Sequence, residues 1–167
     1  MVIGGVAASV LGQPRLTQDV DALAILPEER WASAMDAAAQ FGIVPRIEKP
    51  LEFARRSRVL LMKHLASGID IDLTFGGLPF EEDAVSNSDR HEIAGLSVRL
   101  PRVEDLLIMK AIAHRPKDLQ DIEGLLKAHP KADVDRVRQW VREFAAATGM
   151  GDMLDELDKL LAKRKSL

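Results

Sequence analysis

The sequence contains no cysteine. Disulfides and thiolate zinc sites are therefore excluded, and the chain fits a reducing, cytoplasmic compartment. It also lacks any uninterrupted apolar run of the roughly 18 residues that a membrane span requires, so no membrane partner is expected. Met1 leads straight into Val2-Ile3-Gly4-Gly5 with no basic stretch before it, and no signal peptide is read there. A strong charge of one sign is missing too: the formal net charge of −3 gives no global signal for nucleic acid. His64, His91, His114 and His129 show no metal-ligand spacing. There is no internal repeat and no low-complexity segment.

What is present is ample material for a core. The 167 residues are 47% hydrophobic and 29% charged, which predicts one compact domain or a domain with a small appendage. Met1-Val2-Ile3 reads as the tail of a buried strand that begins abruptly, as if an upstream helix were missing. Gly4-Gly5 is a turn signal into a short helix ending at Leu11. Asp19 to Leu26 reads as a strand, and Pro27 opens a helix that Gly42 stops. Ile43 to Glu48 is a short strand and Lys49 to Ser57 a loop or broken turn. Arg58–Leu65 and Ile69–Phe75 form a hairpin about Ala66-Ser67-Gly68. Pro79 to Asn87 is helical, and a second hairpin closes at Ala94-Gly95. From Pro101 only helices follow, at Arg102–His114, Lys117–His129, Asp133–Thr148 and Met150–Lys163. The layout predicts an α+β fold with a mixed sheet flanked by helices over residues 1–100, then a helical C-terminal region over 101–167.

The chemistry lies in the acidic strands. Side chains alternate along a strand, so Asp19 and Asp21 share a face, as do Asp70 and Asp72. Ile69, Ile71, Leu73 and Phe75 mark the second strand as largely buried. A buried carboxylate is costly unless paired or metal-bound. Two such strands side by side would make an oxygen-only cluster suited to Mg²⁺ or Mn²⁺. Backbone amides of Gly5 and Val6 at a helix N-terminus suit phosphate oxygens. Asp118 and Asp121 lie three apart on one helix face.

Gly4-Gly5, Arg15, Thr17 and Asp19-Val20-Asp21 together resemble the signature of the DNA-polymerase-β-type nucleotidyltransferase superfamily. Asp72 in Ile71-Asp72-Leu73 is similar to its third aspartate. Leu106-Leu107-Ile108-Met109-Lys110 and Arg115-Pro116-Lys117-Asp118-Leu119-Gln120-Asp121 resemble a motif of AbiEii-type nucleotidyltransferases, the toxin side of some bacterial toxin–antitoxin systems. The resemblance spans roughly residues 1 to 126. It implies a small nucleotidyltransferase core in which Asp19, Asp21 and Asp72 are catalytic and hold the metal. Asp70 stands as the alternative third ligand. It further implies that Gly4 and Gly5 approach the nucleotide, and that Arg15 and Thr17 belong to the site. Lys110 and Arg115 would contact triphosphate, and the Lys117-Asp118-x-x-Asp121 segment would support them. The substrate would be an NTP. The acceptor would be RNA, a protein or a small molecule, and a cognate antitoxin is a candidate partner. The alternative is a catalytically silent domain of this type that binds a nucleotide or partner.

Two charge clusters lie outside that signature. Arg46, Lys49, Arg55, Arg56, Arg58 and Lys63 face only Glu48 and Glu52 in sequence. They read as a solvated basic loop or as an acceptor surface for a polyanion such as RNA. Lys159 to Lys165 reads as a frayed helix tail. Trp31 and Trp140 fall at apolar helical positions and are expected to pack.

Overall fold

In the computed structural model, residues 1–164 are described. The strands are β1 (Val2–Ile3), β2 (Asp19–Ala24), β3 (Ile43–Pro45), β4 (Val59–His64), β5 (Asp70–Phe75), β6 (Asp89–Ile93) and β7 (Leu96–Leu100). The helices are α1 (Gly4–Leu11), α2 (Trp31–Ala39), α3 (Pro50–Ser57), α4 (Pro79–Ser86), α5 (Val103–Ala113), α6 (Pro116–Ala128), α7 (Val134–Thr148) and α8 (Asp152–Arg164). Two compact units result. One comprises Met1–Val6 with Leu16–Leu100, and the other Ala7–Arg15 with residues from Pro101 onward. Among the described residues no helix is long and apolar enough to cross a membrane.

The first unit is built on a five-stranded sheet of order β1-β2-β5-β4-β3. Only β2 and β5 run parallel; β1 pairs with β2, β4 with β5 and β3 with β4 in antiparallel fashion. One face carries Leu60, Met62, Ile71, Leu73 and Phe75, which pack with Trp31 and Ala54 into the core. Trp31 stacks on Phe75 with ring centroids 4.2 Å apart and planes 7° from parallel, a favourable aromatic geometry for a packing residue. The indole N–H donates to the Leu26 carbonyl at 2.9 Å, so the ring is buried without an orphaned donor. The second hairpin forms its own two-stranded sheet, β6-β7.

Sequence expectation and structure part at Lys49–Ser57. Residues 50–57 are a full helix rather than a loop. Pro50 stands in its first turn, where a missing N–H costs nothing, and its buried Ala54 joins the core. Lys49, at φ 52, bends the chain into it. The strands at Asp19 and Ile43 are shorter than expected, ending at Ala24 and Pro45. Helix α1 is counted from Gly4, whose left-handed φ of +64 makes the expected turn into it.

The second unit packs α5, α6, α7 and α8 with the chain from Ala7 to Arg15. Gly12 and Gly124 allow a close approach there. A Cβ on Gly12 would press on the Leu125 amide nitrogen, and one on Gly124 would press on Gln13. His129 Nε2 lies 2.6 Å from the Leu11 carbonyl oxygen and fastens the end of α1. Asp105, fully buried, accepts from Arg102 Nε at 2.7 Å and pairs with Arg136 at 2.8 Å, tying α5 to α7. Trp140 lies against Phe144 at 6.1 Å. Lys159 and Lys163 lie within α8, paired with Glu156 and Glu123, so this stretch is helix rather than tail; Lys165 lies outside the described residues.

Candidate active site

The sheet face opposite the core holds the acidic residues. In the parallel pair Asp19 stands beside Asp70, and Asp21 beside Asp72. Cross-strand partners point to the same side, so all four aspartates share one face. Across β4 the same register sets Lys63 beside Asp70 and Leu61 beside Asp72. Arg46, just past β3, donates its backbone N–H to the Leu61 carbonyl and so enters the same row as Asp72.

Each carboxylate has a distinct environment. Thr17 donates its hydroxyl to Asp19 Oδ1 at 2.9 Å, orienting that carboxylate. Asp21 lies against Gly4, whose φ is +64; any Cβ at position 4 would collide with the Asp21 carboxylate. Asp72 Oδ1 accepts from Arg46 Nη1 at 2.6 Å, and the same nitrogen donates to the Met62 carbonyl at 3.0 Å. Asp70 pairs with Lys63 at 2.8 Å and lies 3.7 Å from Arg46 Nε. The hydrogen bond to Asp72 raises the Arg46 pKa further, against a smaller opposing effect of burial. The bond from Lys63 holds the Asp70 carboxyl below its ordinary value.

These groups suit a hard divalent cation. Carboxylates are acceptor-only oxygen ligands. With Arg46 and Lys63 counted, this row of six charged side chains retains an excess of two negative charges. Gly4 leaves open the space Asp21 uses. The cluster is not drawn together as a cage: among the described residues no three acidic or histidine side chains are grouped closely enough to hold a metal. Asp72 is turned instead to Arg46.

The second unit contains the other predicted residues, joined in one charge network. Lys110 is only 3% exposed. Its Nζ donates to Asp118 Oδ1 at 2.9 Å and lies 2.7 Å from Asp121 Oδ2. Asp121 receives Arg15 through two bonds, Nε to Oδ1 at 2.6 Å and Nη2 to Oδ2 at 2.9 Å. Asp118 receives Arg115 through Nε at 2.6 Å and also accepts the Arg115 backbone N–H at 3.2 Å, capping α6. Burial works to raise the pKa of both aspartates. The bonds and charges of Arg115 and Lys110 on Asp118, and of Arg15 and Lys110 on Asp121, outweigh it and leave both lowered. Asp118 and Asp121 thus orient Lys110, Arg15 and Arg115. Lys110 is enclosed by carboxylates; the Arg115 side chain remains 54% exposed, and Lys117 is exposed. His114, at φ 50, caps the end of α5 ahead of this segment.

The basic cluster read in sequence is largely neutralised. Arg46 and Lys63 face Asp72 and Asp70, Arg55 pairs with Glu28 at 2.8 Å, and Lys49 lies 3.4 Å from Glu52. Arg58 donates to the carbonyls of Phe75 and Gly76, each at 2.7 Å. Arg46 and Lys63 are the residues whose place beside the aspartates that cluster reading missed. The Lys63–Asp70 contact was available from the hairpin register; the Arg46–Asp72 contact depends on the pairing of β3 with β4.

No protein-family model matches the sequence, and no curated protein matches it. Solved structures do share its fold. The solution structure of the antibiotic-resistance factor ANT(2'')-Ia superposes with a TM-score of 0.58 at 16% identity, covering 89% of this chain and 82% of that one. An antigenic nucleotidyltransferase-like protein from Paracoccidioides brasiliensis superposes with a TM-score of 0.51 at 14% identity, covering 94% of this chain and 83% of that one. The expected α+β fold, a mixed sheet with flanking helices and a helical C-terminal region, is the fold observed, and it is nucleotidyltransferase-like.

Proposed function

We propose that this protein is a nucleotidyltransferase that moves a nucleoside monophosphate from an NTP to an acceptor hydroxyl. The observation that carries this reading is the register of β2 and β5, which sets Asp19 and Asp21 beside Asp70 and Asp72 on one sheet face next to Gly4. The fold shared with a nucleotidyltransferase-like protein supports it. The acceptor oxygen forms a bond to the α-phosphorus. The bond from that phosphorus to the α–β bridging oxygen breaks, and pyrophosphate leaves with the electron pair; the acceptor proton passes to solvent. Mg²⁺ or Mn²⁺, when bound, supplies Lewis-acid neutralisation of phosphate charge. Asp19, Asp21 and Asp72 are the proposed ligands. Thr17 orients Asp19, Gly4 admits Asp21, and the first-turn amides at Gly5 and Val6 receive phosphate oxygens. Arg15, Arg115 and Lys117 are proposed as the triphosphate contacts. Lys110 acts through Asp118 and Asp121 by holding the two arginines in place.

The similarity of Leu106–Lys110 and Arg115–Asp121 to AbiEii-type proteins extends the proposal to a bacterial toxin–antitoxin or defence setting with RNA or protein as acceptor. The contact of Arg46 with Asp72 favours one alternative, a silent domain whose third carboxylate is permanently capped. The test is incubation with α-labelled NTPs and Mg²⁺ or Mn²⁺ in the presence of total RNA and protein. Label transferred to an acceptor, lost in Asp21→Asn, supports the enzyme. Absence of transfer together with absence of NTP binding by calorimetry overturns it, and binding without transfer selects the silent domain.

A further inference from the structure

We infer that the outer face of the β6–β7 hairpin docks RNA, with Arg90 and Arg99 clasping one backbone phosphate between them. The inference names the acceptor class for the transfer proposed above, and it rests on that reading only in calling the RNA an acceptor. The two strands pair antiparallel about Ala94-Gly95, with Arg90 opposite Arg99, His91 opposite Val98 and Glu92 opposite Ser97. Alternation along the strands gives the hairpin two unlike faces. His91, Ile93, Val98 and Leu100 share one face and are partly or fully buried. Arg90, Glu92, Ser97 and Arg99 share the other, and all four are exposed.

Like charges directly opposite on paired strands destabilise the pair. Among the described residues neither Arg90 nor Arg99 forms an ion pair that would offset this. Arg99 reaches the Ser88 carbonyl at 3.5 Å, and Glu92 stands two positions along β6, opposite Ser97. An anion between the two guanidiniums reverses the repulsion, and each presents a planar fork of N–H donors that matches phosphate oxygens. The rest of the face selects a nucleic-acid backbone over a free nucleotide. It is an open two-stranded ribbon, and residues 89–100 include no Phe, Trp or Tyr on which a base could stack. Such a contact holds phosphate and reads no base. RNA also carries a hydroxyl on every nucleotide, the acceptor group that the proposed transfer needs. Within the same unit β7 packs against β1, and β1 pairs with β2, so the hairpin flanks the strand of Asp19 and Asp21.

Fluorescence anisotropy of a labelled single-stranded RNA oligonucleotide, titrated with the full chain without NTP, reads the contact with no need for turnover. Arg90→Ala/Arg99→Ala should weaken binding on the order of tenfold. It should also lower the slope of log affinity against log salt by about 0.7, the value of one phosphate contact on a single strand. Arg56→Ala, which removes an exposed arginine of α3 in the same unit, should leave both unchanged. Equal losses in the two variants, or no RNA binding by the wild type, overturn the inference, while label transferred to a protein or small molecule would keep the proposed function. A loss of ATP affinity in the double variant assigns the pair to the nucleotide and likewise overturns the inference. RNA binding that depends on the pair, with no label transferred to any acceptor, supports the docking surface and overturns the transfer reading. Should the double variant lose its fold by circular dichroism, Arg90→Gln takes its place. Arg90→Glu gives an independent measurement in the free protein, because it turns a like-charge pair into an opposite one. Its urea midpoint should rise while RNA affinity falls; a lowered midpoint makes Arg90 a structural residue and overturns the inference.

Discussion

Gly4 and Asp21 are locked together: the Asp21 carboxylate occupies the space into which a side chain at position 4 would project, and Gly4 itself sits at φ +64. Gly4→Ala therefore combines two penalties. The left-handed conformation costs an L-residue about 1–2 kcal/mol, and relief of the collision must displace either α1 or Asp21. Urea denaturation of Gly4→Ala should show a loss of more than about 2 kcal/mol. In an Asp21→Ala background the same substitution should cost less, because the collision with the carboxylate is gone while the backbone penalty and the close contact with the Cβ at position 21 persist. A double-mutant cycle with no coupling between positions 4 and 21 would refute the steric link.

Lys110 has two carboxylates and almost no solvent. Truncating one member of a buried ion network leaves its partners uncompensated, which typically costs about 3–5 kcal/mol. Lys110→Met should lose stability on that scale in urea denaturation followed by circular dichroism. Asp118 should feel the loss through Lys110 alone, since Arg115 still reaches it.

The same network sets an acid limit. The carboxyls of Asp118 and Asp121 titrate below their ordinary value of 3.8 in the folded chain. Their contribution is fully present above that value and disappears as the pH falls through the lowered folded values. Unfolding free energy should therefore drop steeply below pH 3.8, and Asp118→Asn/Asp121→Asn should flatten that part of the profile while lying lower at neutral pH. An acid limb of equal steepness in the double variant would place the titrating groups elsewhere.

What could be read from sequence was the local part. The parity of Asp19, Asp21, Asp70 and Asp72 follows from strand alternation, and the β4–β5 hairpin follows from apolar runs around Ala66-Ser67-Gly68. The helix at Pro50–Ser57 was hidden because half of its eight residues are charged or hydroxyl-bearing and it opens on a proline after a lysine in the left-handed region. Arg46 looked like one cation among several, since its partner lies 26 residues away and is reached only by pairing β3 with β4. The resemblance assigns Lys110 to triphosphate, and Asp118 and Asp121 are legible as neighbours on one helix that orient it; its near-complete burial depends on the packing around α5 and α6 and is not legible in sequence.

Arg58 illustrates the same point in the basic cluster. Its guanidinium fastens the end of β5 through the Phe75 and Gly76 carbonyls. Arg58→Ala would leave those acceptors without their charged donor, at about 1–3 kcal/mol. The expected result is a lower urea midpoint with RNA affinity unchanged; an RNA-affinity defect at unchanged stability would return Arg58 to an acceptor surface. Gly77→Ala should show a related loss, because its Cβ would run into the Arg58 guanidinium.

Asp70 and Asp72 differ in what they touch, and this separates their substitutions. Asp72 is bonded to Arg46, while Asp70 is held by Lys63 and approached by Arg46 as well. If Asp72 is the third metal ligand, Asp72→Asn removes a charged oxygen donor that an amide replaces poorly. Transfer and Mn²⁺ binding should then both collapse, with activity falling by about a hundred- to a thousandfold, the scale seen when one group stabilising the transition state is removed. Asp70→Asn should keep the metal and lose activity by about tenfold or less, the scale of an exposed ion pair. Side-by-side Mn²⁺ titrations and NMP-transfer rates decide the assignment; a collapse in Asp70→Asn with Asp72→Asn spared would exchange the two roles.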